Sequence, residues 1–335
     1  MMIVVTGAAG FIGANLVKEL NRRGETSILA VDHLKKPGKF RNLSGCTIAD
    51  YMDKQEFFDL IEADAFDQDI SAVLHQGACS DTMEHDGRYM MMNNYRYTHR
   101  LFHYCQDHEI PMVYASSASV YGAGQKFEER PENELPLNVY GYSKLAFDQH
   151  FRYWETQMGL NAPCVGLRYF NVYGPMETHK ERMASVIFHF YNQYRDTGRI
   201  RLFEGTDGYA NGEQRRDFIS VDDVVKINLW CLEHPEVSGV FNAGTGKSRT
   251  FNEVAIATLN ALRKKEGRNT LTLEQLCSEN LIEYIPFPDA LRGKYQNYTE
   301  AHMSGLRAVG YDQVFFDIDE GVDRYVSWLA DQSAT

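Results

Sequence analysis

"VVTGAAGFIG", residues Val4 to Gly13, sets Gly7, Gly10 and Gly13 three residues apart, directly after a short apolar run. Such a stretch can simply cap a strand. It can also receive a phosphate: the first glycine permits the turn, the second admits a pyrophosphate, and the third lets helix pack on strand. The helix N-terminus then offers N–H groups and partial positive charge. The spacing is GxxGxxG and not GxGxxG, so the loop alone leaves both readings open. Asp32 favours the second. It ends the next apolar run about 20 residues on, where a carboxylate commonly accepts a hydrogen bond from the adenosine ribose. Asp32 alone favours NAD; Lys39 or Lys54, if paired with a 2′-phosphate, favours NADP, with solvated surface as their alternative.

Outward from the loop, β-branched runs alternate with amphipathic stretches. Strands are predicted over Met2–Thr6, Ile28–Asp32, Ala72–His75, Met112–Ser116 and Cys164–Tyr169, and helices over Ile12–Arg23, Lys54–Ala63, Tyr89–His108 and Tyr142–Met158. Apolar strands without alternation, separated by helices, predict an α/β fold: a Rossmann-like doubly wound parallel sheet buried on both faces. After Asn171 the rhythm changes. Helices over Ala184–Tyr194 and Val221–Glu233, with short strands near Arg201 and Ile282, predict a second, smaller substrate-binding domain. The expected partition is 1–171 for the dinucleotide domain, with 217–243 and 300–335 returning to it, and 172–216 plus 244–299 for the smaller one. Gly208–Gln214 reads as a surface loop and Lys264–Leu276 as an inserted polar segment.

Bulk composition narrows the function. The 335 residues carry a net charge of −12, with 44% hydrophobic and 24% charged residues. That balance fits a soluble globular protein and opposes general nucleic-acid binding, which needs a cationic surface. Six scattered cysteines without a CxxC pair read as reduced thiols, and no apolar run reaches membrane-span length. A cytoplasmic location is the expectation. His85, His99, His103 and His108 read as surface or packing residues, and no metal is expected.

"NVYGYSK" places Tyr140 and Lys144 four apart at the start of a predicted helix, on one face. The strand ending in "VYASSAS" precedes it, so Ser117 falls at the carboxyl edge of the sheet. An ammonium beside a phenol favours tyrosinate, lowering Tyr140 toward the range of a general base. Ser117 could hydrogen-bond the reacting oxygen.

The ordered set of glycine loop, Asp32, "HQGA", "SSASVYG", "YGYSK", "RYFNVYGP", "RRDFISVDDVV" and "FNAGTG" resembles the extended short-chain dehydrogenase/reductases, the NAD-dependent epimerase/dehydratase family, along the whole chain. The resemblance implies a nucleotide-sugar substrate. It also implies a cofactor groove lined by Phe11, Ile12, His33, Gln76, Gly77, Ala78, Cys79, Ser80, Asn93, Asn94, Lys144, Val172 and Lys180. Family 4,6-dehydratases carry an Asp-Glu pair where this chain has Ala118 and Ser119, so dehydration is not expected. "GACSDTMEHDGRYMMMNNY", "RYFNVYGPMETHKERMASVIFH", "LFEG" and "YIPFPDALRGKYQ" are similar to the branch that epimerises an ADP-linked heptose at carbon 6″ for the lipopolysaccharide inner core. That branch's usual "HEGA" is "HQGA" here.

By this resemblance Tyr140 and Lys180 are the two catalytic bases, tightly held NADP is the cofactor, and the assembly is a homo-oligomer, with a pentamer as one form. Substrate contacts carry over to Asn171, Arg182, His189, Phe203, Glu204, Gly205, Thr206, Arg216 and Tyr295. From residue type alone, Lys180 reads as surface, and Arg216 reads equally as an ion-pair partner of Asp217 or Asp222. A UDP-hexose 4-epimerase and a non-catalytic dinucleotide-binding sensor are the competing readings.

Overall fold

The computed structural model describes residues 1–66, 69–289 and 296–333. Two compact units emerge. The first comprises Met1–Tyr169, Val224–Ala243 and Met303–Asp312; the second comprises Phe170–Asp223, Gly244–His302 and Gln313–Thr335.

The chain enters the first unit through β1 (Met2–Thr6), α1 (Phe11–Arg22), β2 (Ile28–Asp32), β3 (Asp50–Asp53), α2 (Lys54–Glu62) and β4 (Ile70–His75). It continues through α3 (Gly87–Met90), a π-helical stretch Met91–Arg96, α4 (Tyr97–Asp107), β5 (Met112–Ser117), α5 (Val139–Gln157) and β6 (Cys164–Tyr169). The second unit adds β7 (Asn171–Tyr173), α6 (Val186–Thr197), β8 (Ile200–Phe203) and β9 (Arg215–Ser220). Next come α7 (Val221–Glu233) and β10 (Gly239–Ala243), then β11 (Ser248–Thr250), α8 (Phe251–Lys265), α9 (Leu273–Ser278), β12 (Ile282–Ile285), α10 (Ser304–Ala308) and α11 (Ile318–Ser333).

In the first unit seven parallel strands run β10-β6-β5-β4-β1-β2-β3. All five residues of β2 are buried, because helices cover both faces of the sheet. Strand order reverses between β1 and β4, and ligands of doubly wound sheets sit beyond such a switch point. The glycine loop follows β1 there, and "QGACS" follows β4. Val4, Val31, Val73, Phe102 and Phe151 share the core beneath.

The second unit holds a three-stranded sheet, β11-β9-β7, and a parallel pair, β8 with β12. Its core gathers Tyr173, Phe190, Leu259, Leu276 and Tyr325.

Four expectations need correction. The segment 300–335 does not return to the large sheet as a whole: Met303–Asp312 does, whereas α11 packs on α8, its Val322, Tyr325, Val326 and Leu329 filling the second core. Residues 217–223, expected in the dinucleotide domain, likewise belong to the second unit. Lys264–Leu276 is no bare insertion. The Asn260 side chain, through Leu271 N and O at 2.9 and 3.0 Å, ties its far end to α8, and Leu276 is fully buried. The Gly208–Gln214 loop is exposed only to Asn211; Gly212 and Gln214 are buried. Among the described residues, no helix is long and apolar enough to cross a membrane, and all six cysteines are free.

Candidate active site

The first unit builds a dinucleotide cradle. Gly7 sits at φ +66°, and a Cβ there would lie 2.8 Å from Gly77 N. Side chains rarely tolerate either condition. A Cβ on Gly13 would overlap the Gly7 carbonyl oxygen, so this glycine is what lets Phe11–Gly13 open α1 against the loop. Gly10 N donates to Gly7 O at 2.8 Å and closes the turn. From the next crossover, the Thr6 hydroxyl accepts from Gly77 N at 3.1 Å and lies 2.6 Å from His75 Nδ1. His75 Nε2 meets Thr98 Oγ1 at 2.9 Å, and burial lowers this imidazole to about 3, so it stays neutral as a strut.

Asp32 is 3% exposed. Its carboxylate accepts from Ala9 N at 2.8 Å, His33 N at 2.6 Å and Lys39 Nζ at 2.5 Å. One carboxylate thus fixes the glycine loop, the end of β2 and a lysine together. Lys54 Nζ donates to Asn93 Oδ1 at 2.5 Å, and burial lowers its ammonium. Burial lowers the His33 imidazole as well, and the charges of Lys39, Lys54 and Lys35 reinforce that. His33 Nδ1 is buried without a hydrogen-bond partner, as expected of a wall built to meet a polar ligand. A net −12 chain has gathered cations at this edge, and the residues fit a dinucleotide.

Gln76 closes a neutral network. Its Nε2 donates to Asn228 Oδ1 at 3.0 Å, and its Oε1 accepts from Tyr169 OH at 3.0 Å. Ala78 is half-buried and Ser80 exposed in the same loop. Asn94, 1% exposed, brackets Cys79 by accepting from its N–H at 2.8 Å and donating to its carbonyl at 3.0 Å, and it also donates to Ser143 Oγ at 3.1 Å. Its amide positions the loop instead of standing open to a ligand.

The predicted Ser117, Tyr140 and Lys144 come together where β5 meets α5. Asn138 caps α5, accepting from Gly141 N at 2.8 Å, which sets Tyr140 in the first turn. A Cβ on Gly141 would fall 2.7 Å from Ser119 O, so the helix approaches Ser117–Ser119 closely only because it is absent. Ser117 hydrogen-bonds the Tyr140 side chain. Lys144, 6% exposed, donates to Ala115 O at 2.7 Å, and burial lowers it to about 8 against the opposing pull of Asp148. The expected lowering of Tyr140 is not found. Burial raises the phenol, the Ser117 hydrogen bond only partly offsets it, and the Lys144 ammonium is engaged on the Ala115 carbonyl. Behind them, Asp148 accepts from Tyr114 OH, Ser116 Oγ and Arg168 Nε at 3.0, 2.8 and 2.9 Å, locking β5, β6 and α5 in register.

The second unit carries the other candidates. Asn171 is exposed and Val172 half-buried on β7. Lys180 lies in the short helical stretch Thr178–Met183, its N–H donating to Glu177 O at 2.9 Å. Burial lowers the Lys180 ammonium and the Glu177 carboxylate pulls it back up. Glu177 is fully buried, accepting from Ser185 N and Ser185 Oγ at 2.6 Å each. Met176 at φ +71° and Glu181 at φ +53° flank Lys180 in a region costly for side chains, and such strain concentrates at functional sites. Arg182 is exposed, and His189 is half-buried on α6.

Phe203 packs edge-on against Phe287 at 5.5 Å. Glu204 N donates to Ile285 O and Gly205 N to Asn211 Oδ1, at 2.8 and 2.9 Å; Thr206 O accepts from Tyr209 N at 3.1 Å. Arg216 is 7% exposed on β9. Asp217 accepts from Thr245 N, Thr245 Oγ1, Gly246 N and Ala301 N, and Asp222 lies 3.7 Å from Arg324, so both carboxylates have other partners. Tyr295 lies outside the described residues.

Sequence reading missed Asn138, Asp148, Glu177 and Asn228. Asn138 was legible as an Asn immediately before a helix; Asp148 and Asn228 are known through partners distant in sequence, and Glu177 through the burial that turns it onto Ser185.

Residues 3–244 match the model of the NAD dependent epimerase/dehydratase family. The chain is 60% identical to ADP-L-glycero-D-manno-heptose-6-epimerase of Thiobacillus denitrificans, covering 97% of this chain and 98% of that one. It is 56% identical to the protein of the same name from Alkalilimnicola ehrlichii, covering 99% of each. Among solved structures, the Helicobacter pylori ADP-L-glycero-D-manno-heptose-6-epimerase superposes with a TM-score of 0.78 at 27% identity, over 98% of this chain and 96% of that one. MoeE5 in complex with UDP-glucuronic acid and NAD gives 0.76 at 25%, over 99% and 100%.

Proposed function

Because the chain belongs to the NAD dependent epimerase/dehydratase family, we propose that it interconverts ADP-D-glycero-D-manno-heptose and ADP-L-glycero-D-manno-heptose at carbon 6″. The observation that carries this reading is 60% identity to a heptose epimerase along nearly the full length of both chains. A secondary alcohol remote from any carbonyl has no acidic C–H, so inversion by proton abstraction at carbon is not available. Oxidation to a ketone and reduction on the opposite face is. When bound, the nicotinamide dinucleotide supplies the hydride acceptor and donor.

The chain's own residues handle the proton. Tyr140 takes it from the hydroxyl oxygen in one orientation, with Ser117 hydrogen-bonded to the phenol. A ketone presented by its other face puts its oxygen elsewhere, and Lys180, its ammonium lowered by burial, serves that orientation. Lys144, which donates to the Ala115 carbonyl at 2.7 Å, would hold the nicotinamide ribose, and the positive charge of the oxidised nicotinamide would favour tyrosinate. Arg216 supplies a planar, permanently charged fork for the pyrophosphate.

The cofactor in this reading is NADP. Lys39 neutralises Asp32 at 2.5 Å, and Lys54 adds a second cation near it, so the edge that would favour a bare ribose can instead accept a 2′-phosphate. Further parts of the proposal are a cytoplasmic homo-oligomer and a role in the lipopolysaccharide inner core.

The test is incubation of purified protein with ADP-D-glycero-D-manno-heptose, following epimers by NMR and solvent deuterium at the inverted carbon. Interconversion without deuterium uptake is expected. Turnover of UDP-galactose alone would point to the 4-epimerase reading, and no turnover of either to the sensor. Mass spectrometry of co-purified nucleotide reads NADP against NAD, and light scattering reads the assembly.

A further inference from the structure

Three histidines that the reaction does not use converge on one face of the first unit. His99 and His103 lie one turn apart on α4, and His150 lies on α5. One ring nitrogen from each falls within 4.8 Å of the others, the sole such group of three among the described residues. His103 Nε2 and His150 Nε2 are 3.0 Å apart. The His99 ring lies 4.4 Å from that of His103 and 4.3 Å from that of His150. His99 Nδ1 is buried without a hydrogen-bond partner.

We propose that His99, His103 and His150 form a binding site for a divalent transition ion, zinc by preference, that staples α4 to α5. Nitrogens on a tetrahedral zinc at about 2.0–2.1 Å stand roughly 3.3 Å apart, so the 3.0 Å pair is already near that spacing. Positions i and i+4 on one helix put two imidazoles on the same face, the arrangement by which helices commonly present a histidine pair to zinc. A purely imidazole donor set suits zinc, copper or nickel and is foreign to calcium and magnesium. All three rings are half-buried, so an ion can enter and a fourth, external ligand can complete the shell.

Trp154 closes one side, its ring edge-on to His103 at 4.5 Å. Sequence alone shows the His99–His103 spacing but not His150, 47 residues further on.

The rival explanation is a plain hydrogen bond from one imidazole N–H to the next ring's nitrogen. Chelator-treated, dialysed protein titrated with zinc chloride against a chromophoric competitor separates the two. Expected are one equivalent per chain, a Kd below about 1 µM, and a rise in melting temperature with zinc. His150→Gln and His99→Gln should each weaken binding at least roughly 100-fold, the top of the range for losing even an outer-shell partner. His108→Gln, whose ring meets Asp64 at 2.7 Å away from the cluster, should not. Circular dichroism of the metal-free variants checks that they fold. Cobalt(II) should give the intense visible bands of a four-coordinate site, lost in His150→Gln. Absence of zinc binding, or unchanged affinity in folded His150→Gln, overturns the proposal. The outcome does not depend on which sugar nucleotide is the substrate, since zinc affinity, melting temperature and the cobalt spectrum are all read without turnover.

Discussion

Lys144 combines a stability deficit with the role proposed for it at the nicotinamide ribose. Its ordinary value near 10.5 falls to about 8 because burial penalises the ammonium more than Asp148 restores it. Below pH 8 both folded and unfolded chains carry the proton, and the folded state bears the whole penalty. Between 8 and 10.5 the folded lysine is neutral while the unfolded one is charged, so the penalty shrinks, and above 10.5 it is gone. Lys144→Met should therefore stabilise the protein at pH 7 by on the order of 2 kcal/mol, after loss of the Ala115 hydrogen bond, while epimerisation collapses. Denaturant melts at pH 7 and pH 10 test the sign: the advantage must narrow as pH rises.

Lys39 gives a second residue-scale prediction. Removing it leaves Asp32 uncompensated at 3% exposure, so Lys39→Ala should weaken NADPH binding about 10- to 100-fold and NADH much less, read by fluorescence titration. Tyr140, Lys144 and Asp32 were all legible as residue types at a known spacing. The raised phenol was not, because it depends on how deeply the fold buries Tyr140.

At the scale of elements, β1, β2, β4, β5 and β6 were readable because each is largely apolar, and the helices between them because each is amphipathic. Two elements escaped: β3, whose Asp50–Asp53 is polar and mostly exposed at the sheet edge, and the π-helical stretch Met91–Arg96. Such widened turns often mark functional positions, but no residue pattern announces them. Here the widening carries Asn93 toward Lys54 and Asn94 toward both Cys79 and Ser143. Since Ser143 Oγ in turn donates to Tyr140 O at 2.7 Å, Asn94 couples the loop after β4 to the turn of α5 that bears the phenol. Asn94→Ala should lower stability by about 2–3 kcal/mol through unsatisfied buried groups. It should also reduce kcat more than KM; a variant with only a stability loss would show that the coupling is structural and nothing more. The strained Met176 and Glu181 were equally invisible, since neither residue type predicts a left-handed backbone.

For the whole molecule, the second unit is assembled from three separated stretches of chain; Asp217 ties the first to the second, and α11 on α8 brings in the third. From β9 the Asp217 carboxylate reaches the Thr245–Gly246 turn and Ala301, 28 to 84 residues away. Sequence periodicity cannot report such pairings, which is why the C-terminal helix was assigned to the wrong unit while the seven-stranded sheet was anticipated in class. A carboxylate accepting from several N–H groups cannot be replaced by an amide without turning a donor toward donors. Asp217→Asn should therefore destabilise the second unit by about 3 kcal/mol. Because the glycine cradle, Asp32 and the lysines all belong to the first unit, dinucleotide affinity of the variant should stay within about 2-fold of the parent at a temperature where that unit is folded, as unlinked sites behave. Epimerisation should fall sharply at the same temperature, with Lys180 and Arg216 carried by the weakened unit. Equal losses of cofactor binding and turnover would show that the two units unfold as one, and the separate roles assigned to them would have to be abandoned.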